Sequence, residues 1–210
     1  MKNRYKSILV ILLIINCSCS HHHSNKVIQI GNQVWMKQNL SVTRFRNNDI
    51  IPEAKSNLDW LKAGKERKAV WCYYENNYKI GQKYGKLYNW FAVNDSRGLA
   101  PVGFHIPSDN EWDQLDIFLG SSNTGEKLKS IYYWDKRFNG SNEIGFSAIP
   151  TGFRSSDGYF NAINYESNWW SITSGDLIFA WSRKVGCADD YLTRDYSNKC
   201  NGFSVRCLMN

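Results

Sequence analysis

Hydrophobic and polar positions change their rhythm about two-thirds of the way along this chain. Ile8 to Ile15 is an unbroken apolar run of eight residues behind Lys2, Arg4 and Lys6. Val27 to Lys37 (VIQIGNQVWMK) holds two β-rich runs split by Gly31-Asn32, the pattern of a hairpin. Residues 47–68 are polar and charged, broken by Pro52 and Gly64, and read as a surface excursion. In YGKLYNWFAV (84–93), Tyr84, Leu87, Tyr88 and Phe91 fall at helical spacing. Ser108-Asp109-Asn110-Glu111 is a capping box, followed by an apolar face of Trp112, Leu115, Phe118 and Leu119 and a stop at Gly120. After residue 140 the runs become short: GFSAIPTGFR, DGYFN, NWWSIT, FAWSRKV, YLTRDY and GFSVRCL, separated by Gly, Asn, Asp and Ser. Such runs predict strands and turns of an antiparallel sheet. The expectation is one α+β domain over 27–210, with two helices early and a strand-rich second half.

The first apolar run changes the picture of the chain's address. Eight residues fall far short of the roughly 20 that span a bilayer, and the run matches the core of a secretory signal over 1–16. It stops at Asn16-Cys17-Ser18-Cys19, which resembles a bacterial lipobox, where a cysteine is acylated and becomes the mature N-terminus. Cys17 has Ile14 at −3 but the large Asn16 at −1; Cys19, the alternative, has Ser18 at −1. The expectation is an exported protein anchored by lipid to the cell envelope, on the outer membrane, through a polar tether over 17–26 that carries His21-His22-His23. Acyl chains anchor without spanning.

Charge then removes one class of partner. The whole chain carries a formal charge of 26 − 19 = +7, and loss of Lys2, Arg4 and Lys6 leaves 7 − 3 = +4. No Lys/Arg run longer than two residues remains, so nucleic acid is not expected as a partner.

Beyond the signal stand four cysteines, Cys72, Cys187, Cys200 and Cys207. An exported chain meets an oxidising compartment, so disulfides are expected. Four cysteines permit three pairings; the favoured one is Cys187–Cys200 with Cys72–Cys207, and four free thiols are the alternative. In the chain-entropy view the local bridge is worth about 3 kcal/mol and the long one about 5.

Catalytic chemistry is thin. His105 is the one histidine outside the tether, and no G-x-S-x-G, H-E-x-x-H or G-x-G-x-x-G occurs. His105, between Phe104 and Ile106 and just ahead of the capped helix, reads as a packed, hydrogen-bonded residue. Only Asp189, Asp190 and Asp195 cluster as oxygen ligands, too few for the six to eight a hard cation takes, so neither metal nor cofactor is expected.

The aromatic content is the positive signal: 9 Trp, 12 Tyr and 10 Phe among 210 residues. Trp169 and Trp170 are adjacent, and neighbours on a strand point to opposite faces. One of them is expected to be free to meet a ligand, with Trp181, Tyr159 and Tyr191 around it and Arg154, Arg183 and Asp176 at the rim. An exposed indole is a platform for the apolar face of a sugar. Arg206 is expected to serve the structure.

Several runs together resemble a known family. IGNQVWMKQNL (30–40), YGKLYNWFAV (84–93), LAPVGFHIPSDNEW (99–112), GFSAIPTGFR (145–154), NWWSIT (168–173) and GFSVRCL (202–208) look like the Fibrobacter succinogenes major paralogous domain. That family is exported, often lipid-anchored and without an established activity. More distantly, Pro107, Glu111 and Trp112 and the closing GFSVR run are similar to formylglycine-generating enzymes, which share their fold with C-type lectin-like domains. This likeness implies two helices flanking a small twisted sheet, long loops and adjacent termini, with Cys72–Cys207 as the terminus-clamping disulfide. It would make Cys187 and Cys200 the candidate copper-binding pair of an oxidase. The Glu-Pro-Asn, Gln-Pro-Asp and Trp-Asn-Asp elements of calcium-dependent lectins are missing. The reading is therefore a non-catalytic envelope lipoprotein contacting a glycan or another envelope protein. A structural surface protein with no small ligand, or an oxidase, are the alternatives.

Overall fold

The computed structural model describes residues 26–135 and 137–210. Cys17, Cys19 and the three tether histidines lie outside the described residues. The chain runs through β1 (Val27–Ile30), β2 (Gln33–Met36), α1 (Asn57–Lys65), β3 (Trp71–Cys72), α2 (Tyr78–Tyr84) and β4 (Leu87–Tyr88). Next come α3 (Trp90–Val93), β5 (Phe104–His105), α4 (Asp109–Leu119) and α5 (Thr124–Leu128). The second half is β6 (Thr151–Arg154), β7 (Phe160–Ile163), β8 (Glu166–Ser174), β9 (Phe179–Gly186), β10 (Thr193–Asn198) and β11 (Leu208–Met209). The molecule is α+β.

Local chemistry explains most of these elements. The hairpin turns at Gly31, whose φ of +58° favours glycine. The ring of Phe118 lies against Gly31, and this member of the expected apolar face of α4 stays exposed. Both limbs of the Ser108–Glu111 capping box form, and α4 buries Trp112, Leu115 and Leu119 before Gly120 ends it. The expected surface excursion over 47–68 contains a helix instead. Ser56 caps α1 by accepting from the Asp59 amide at 3.1 Å, and Trp60 is fully buried. The expected helix over 84–93 is also corrected. Gly85, at φ +85°, ends α2, and Tyr88 exchanges backbone hydrogen bonds with Phe203 at 2.8 and 3.1 Å. Strand pairing with distant residues overrides the helical period there, and only the short α3, capped by Asn89, remains.

Two sheets carry the rest. One has the order β1-β2-β11-β5, so the last strand lies beside the first hairpin. The other has the order β10-β9-β8-β6-β7, with β8 at its centre. Successive β8 residues feed different cores: Trp169 joins Trp35, Trp112 and Phe146, while Trp170 packs on Phe203 with ring centres 4.4 Å apart. Burying one such aromatic contributes about 4–6 kcal/mol of transfer free energy. The two-stranded ribbon β3–β4 also faces two ways. Trp71 and Tyr88 enter the Trp170 core, and Cys72 and Leu87 enter a third core with Trp60.

This arrangement corrects the expected disulfides, since all four cysteines are free thiols. Cys187 follows β9 beyond the Lys184–Thr193 pair, and Cys200 follows β10 beyond the Phe179–Asn198 pair. Five residues of strand, roughly 17 Å, separate those two ends of the hairpin, whereas a disulfide needs Cα atoms within about 7 Å. Cys72 and Cys207 are buried in cores on opposite faces of the β3–β4 ribbon.

Candidate functional site

The aromatic platform expected around residues 153–200 is not assembled. Trp169 and Trp170 are both 0% exposed, because β8 is the central strand and is covered on both faces. Neighbouring side chains of β8 do point to opposite faces, and both faces are interior. Tyr159 and Tyr191 are exposed, but they lie next to β7 and β10, the two opposite edges of the sheet, roughly 19 Å apart. Trp181 is half-buried under Arg194, whose guanidinium sits 3.3 Å from the ring centre.

The expected rim residues hold structure. Arg154 is fully buried, donates to Gly158 O, Ser56 O and Asn57 Oδ1, and lies between the rings of Trp60 and Phe160. Arg183 is buried against Asp113 at 2.6 Å and Asp109 at 2.8 Å. Asp176 accepts from the amides of Phe179 and Ile178 at 2.7 and 2.6 Å, and these bonds hold its carboxyl below the usual range.

His105 stands between two oxygens, Glu111 Oε1 at 2.8 Å from Nε2 and Asn210 Oδ1 at 2.9 Å from Nδ1. It borders a cavity of about 370 Å³. Burial pushes the Glu111 carboxyl up, but the Ser108 amide and hydroxyl and His105 together draw it below its ordinary value. Glu111 therefore works twice, capping α4 and fixing the imidazole. Among the described residues no group of three or more His, Cys, Asp or Glu comes together to hold a metal ion. No described helix is long and apolar enough to cross a membrane.

A larger cleft, about 820 Å³, opens elsewhere, between the segment after β2 and the helix α2. One wall is Lys37, Gln38, Asn39 and Ser41; the other is α2 and the Gly85-Lys86 turn that ends it. Gly81 makes this wall, since a Cβ there would fall 1.8 Å from the ring of Tyr73. Only glycine lets Tyr73 lie flush on the helix, where it meets Tyr78 edge-on with centres 5.6 Å apart. Tyr133 and Tyr84 extend the aromatic lining, and Lys83 sits over both rings at 4.1 and 4.7 Å. Lys86 is buried, donates to Ser41 O and Oγ at 2.9 Å, and lies 4.8 Å from the centre of the Trp71 ring. Arg206 forms the floor, held by Asn39 Oδ1 and Phe146 O.

The sequence reading missed this site. The signals for it are Gly81, Gly85 and the tyrosines at 73, 74, 78 and 84, of which the helical spacing over 84–93 took in only Tyr84. The cleft thus combines tyrosine rings, side-chain amides and ammonium groups in one concave surface. The scaffold that carries it is α+β. The model of the Fibrobacter succinogenes major domain matches residues 28–209, and the chain belongs to that family. No curated protein and no solved structure matches it.

Proposed function

We propose that this is a non-catalytic binding domain whose ligand, a glycan or another envelope protein, lies in the cleft between the segment after β2 and α2. The observation that carries this reading is the cleft itself: tyrosine rings in its walls for apolar ligand faces, and Gln38 and Gln82 amides at its rim for hydroxyls. The apolar run and the Asn16-Cys17-Ser18-Cys19 segment support export and acylation of Cys17, or of Cys19, at the cell envelope. The pairing of β11 with β2, which brings the two ends of the domain together, supports a C-type lectin-like arrangement. The separation of Cys187 from Cys200 removes the support for an oxidase using that pair.

A screen of the purified protein against soluble polysaccharides, with calcium and with chelator, tests the reading. Saturable binding that survives chelator and is lost in Tyr78→Ala is the expected result. Tyr78 is exposed, so its loss leaves folding intact. Binding unchanged in Tyr78→Ala would place the ligand elsewhere. No binding to any polysaccharide or envelope extract by folded protein would favour the structural surface protein.

A further inference from the structure

We infer that the ligand of this cleft is an acidic polysaccharide, its carboxylate or sulfate groups received by Lys37, Lys83 and Lys86. This rests on the binding reading above and specifies its ligand class. Lys26, Lys37, Lys83, Lys86 and Arg206 all line the cleft, and no Asp or Glu is among the described residues that do. None of the five has a carboxylate within 4 Å among the described residues, in contrast to Arg183, which is clamped by two.

These charges differ in how far they are buried. Arg206 is buried, and each of its bonded partners is a neutral oxygen. Lys86 is buried as well, again on neutral oxygens of Ser41. Burial draws the Lys86 ammonium below its ordinary value although the Glu53 charge opposes the shift, and an anion bound beside it would offset the rest of that cost. Lys83 is exposed between two tyrosine rings, and the Lys37 amide bonds Lys26 O at 2.9 Å, which brings the two mouth lysines together. A concave surface carrying one sign of charge concentrates ligands of the other.

The rings decide which anion. Lys83 lies 4.1 Å from the centre of the Tyr133 ring and Lys86 5.0 Å from that of Tyr73, so a ligand that fits meets rings and ammonium groups together and must offer apolar faces beside negative charges. A uronate or sulfated sugar polymer does so, because each pyranose ring has an apolar face and its charge at the edge. An acidic peptide offers charge without the flat faces.

Isothermal titration of the full chain against polygalacturonate and its fully methyl-esterified form tests this, with poly-glutamate and a neutral dextran as further titrants. The expected result is binding to polygalacturonate, weakened about tenfold or more by esterification and by raising salt from about 50 to about 200 mM. Lys83→Glu should abolish it and Lys83→Arg preserve it, with thermal midpoints unchanged because Lys83 is exposed. Equal binding to the esterified polymer, or binding to dextran alone, overturns the acidic class and leaves the binding reading standing. Equal binding of poly-glutamate, or equal binding of Lys83→Glu, overturns the inference. Silence with every polysaccharide by folded protein overturns the inference and the glycan form of the reading together.

Discussion

Arg206 donates twice to one oxygen, Asn39 Oδ1, at 3.2 Å from Nε and 2.8 Å from Nη2. The indole of Trp169 donates to that oxygen as well, at 2.9 Å, and Asn39 Nδ2 donates onward to Ser204 Oγ at 3.2 Å. One amide thus ties the cleft floor to the central strand. Asn39→Leu would leave a buried guanidinium and a buried indole short of an acceptor. A loss of about 2–4 kcal/mol in urea unfolding is expected. A change under about 0.5 kcal/mol would show that neither donor depends on Asn39.

The tryptophans of the second half separate into two behaviours. Trp169→Ala and Trp170→Ala each empty a fully buried site and should cost about 3–5 kcal/mol, read as a drop in thermal midpoint. Trp181→Ala loses the stack with Arg194 and should cost about 1 kcal/mol. Equal midpoints for Trp169→Ala and the unaltered protein would contradict the placement of β8 between two cores.

Alkali should unfold this protein. Burial raises the thiols of Cys72 and Cys207 from 9.0 to about 12 and holds the Tyr88 phenol well above its ordinary 10.0. Between pH 9 and 12 the unfolded chain releases thiol protons that the folded chain keeps, so stability falls as pH rises through that window. Arg206 opposes this: burial draws its folded value from 12.5 to about 9, so its contribution rises over the same range. Burial also lowers Lys86, Lys129 and Lys199, which act with Arg206, and raises Tyr73, Tyr74 and Cys200, which act with the two core thiols. The fully buried thiols and the Tyr88 phenol dominate, so the thermal midpoint should fall above pH 9, and Cys72→Ala should flatten the fall. A midpoint that rises in that window would contradict the burial of the two thiols.

Thiol chemistry gives a further expectation. Cys187 and Cys200 are half-buried, whereas Cys72 and Cys207 lie in cores. Iodoacetamide on the folded protein should label Cys187 and Cys200 first, and Cys72 and Cys207 only after denaturation. Mass spectrometry without reduction should find no peptide linking Cys187 to Cys200; such a peptide would contradict the strand register of β9 and β10.

The sequence announced what local chemistry decides alone. The capping box at Ser108 and Glu111, the turn at Gly31 and the run of strands after residue 140 are all present. Reading 84–93 as a helix failed because Tyr88 is claimed by Phe203, over a hundred residues away. The helix around Trp60 went unread although Ser56 and Asp59 stand at capping spacing, because the charged residues around it masked its one buried face. The cleft was illegible for a different reason. Lys37, Lys83 and Arg206 belong to three distant parts of the chain, and only the pairing of β11 with β2 and the seating of α2 bring them together. One of Trp169 and Trp170 reads as a platform because nothing local says that both faces of β8 are covered.

The β3–β4 ribbon, whose two faces enter separate cores, has a consequence for how the molecule melts. Trp71 and Cys72 are neighbours on one backbone, so neither core can loosen without twisting the residue that plugs the other. A slip of one position would swap an indole into a site shaped for a thiol. The ribbon acts as a shared wall, and calorimetry should record one heat-absorption peak with equal calorimetric and van't Hoff enthalpies rather than a stepwise collapse.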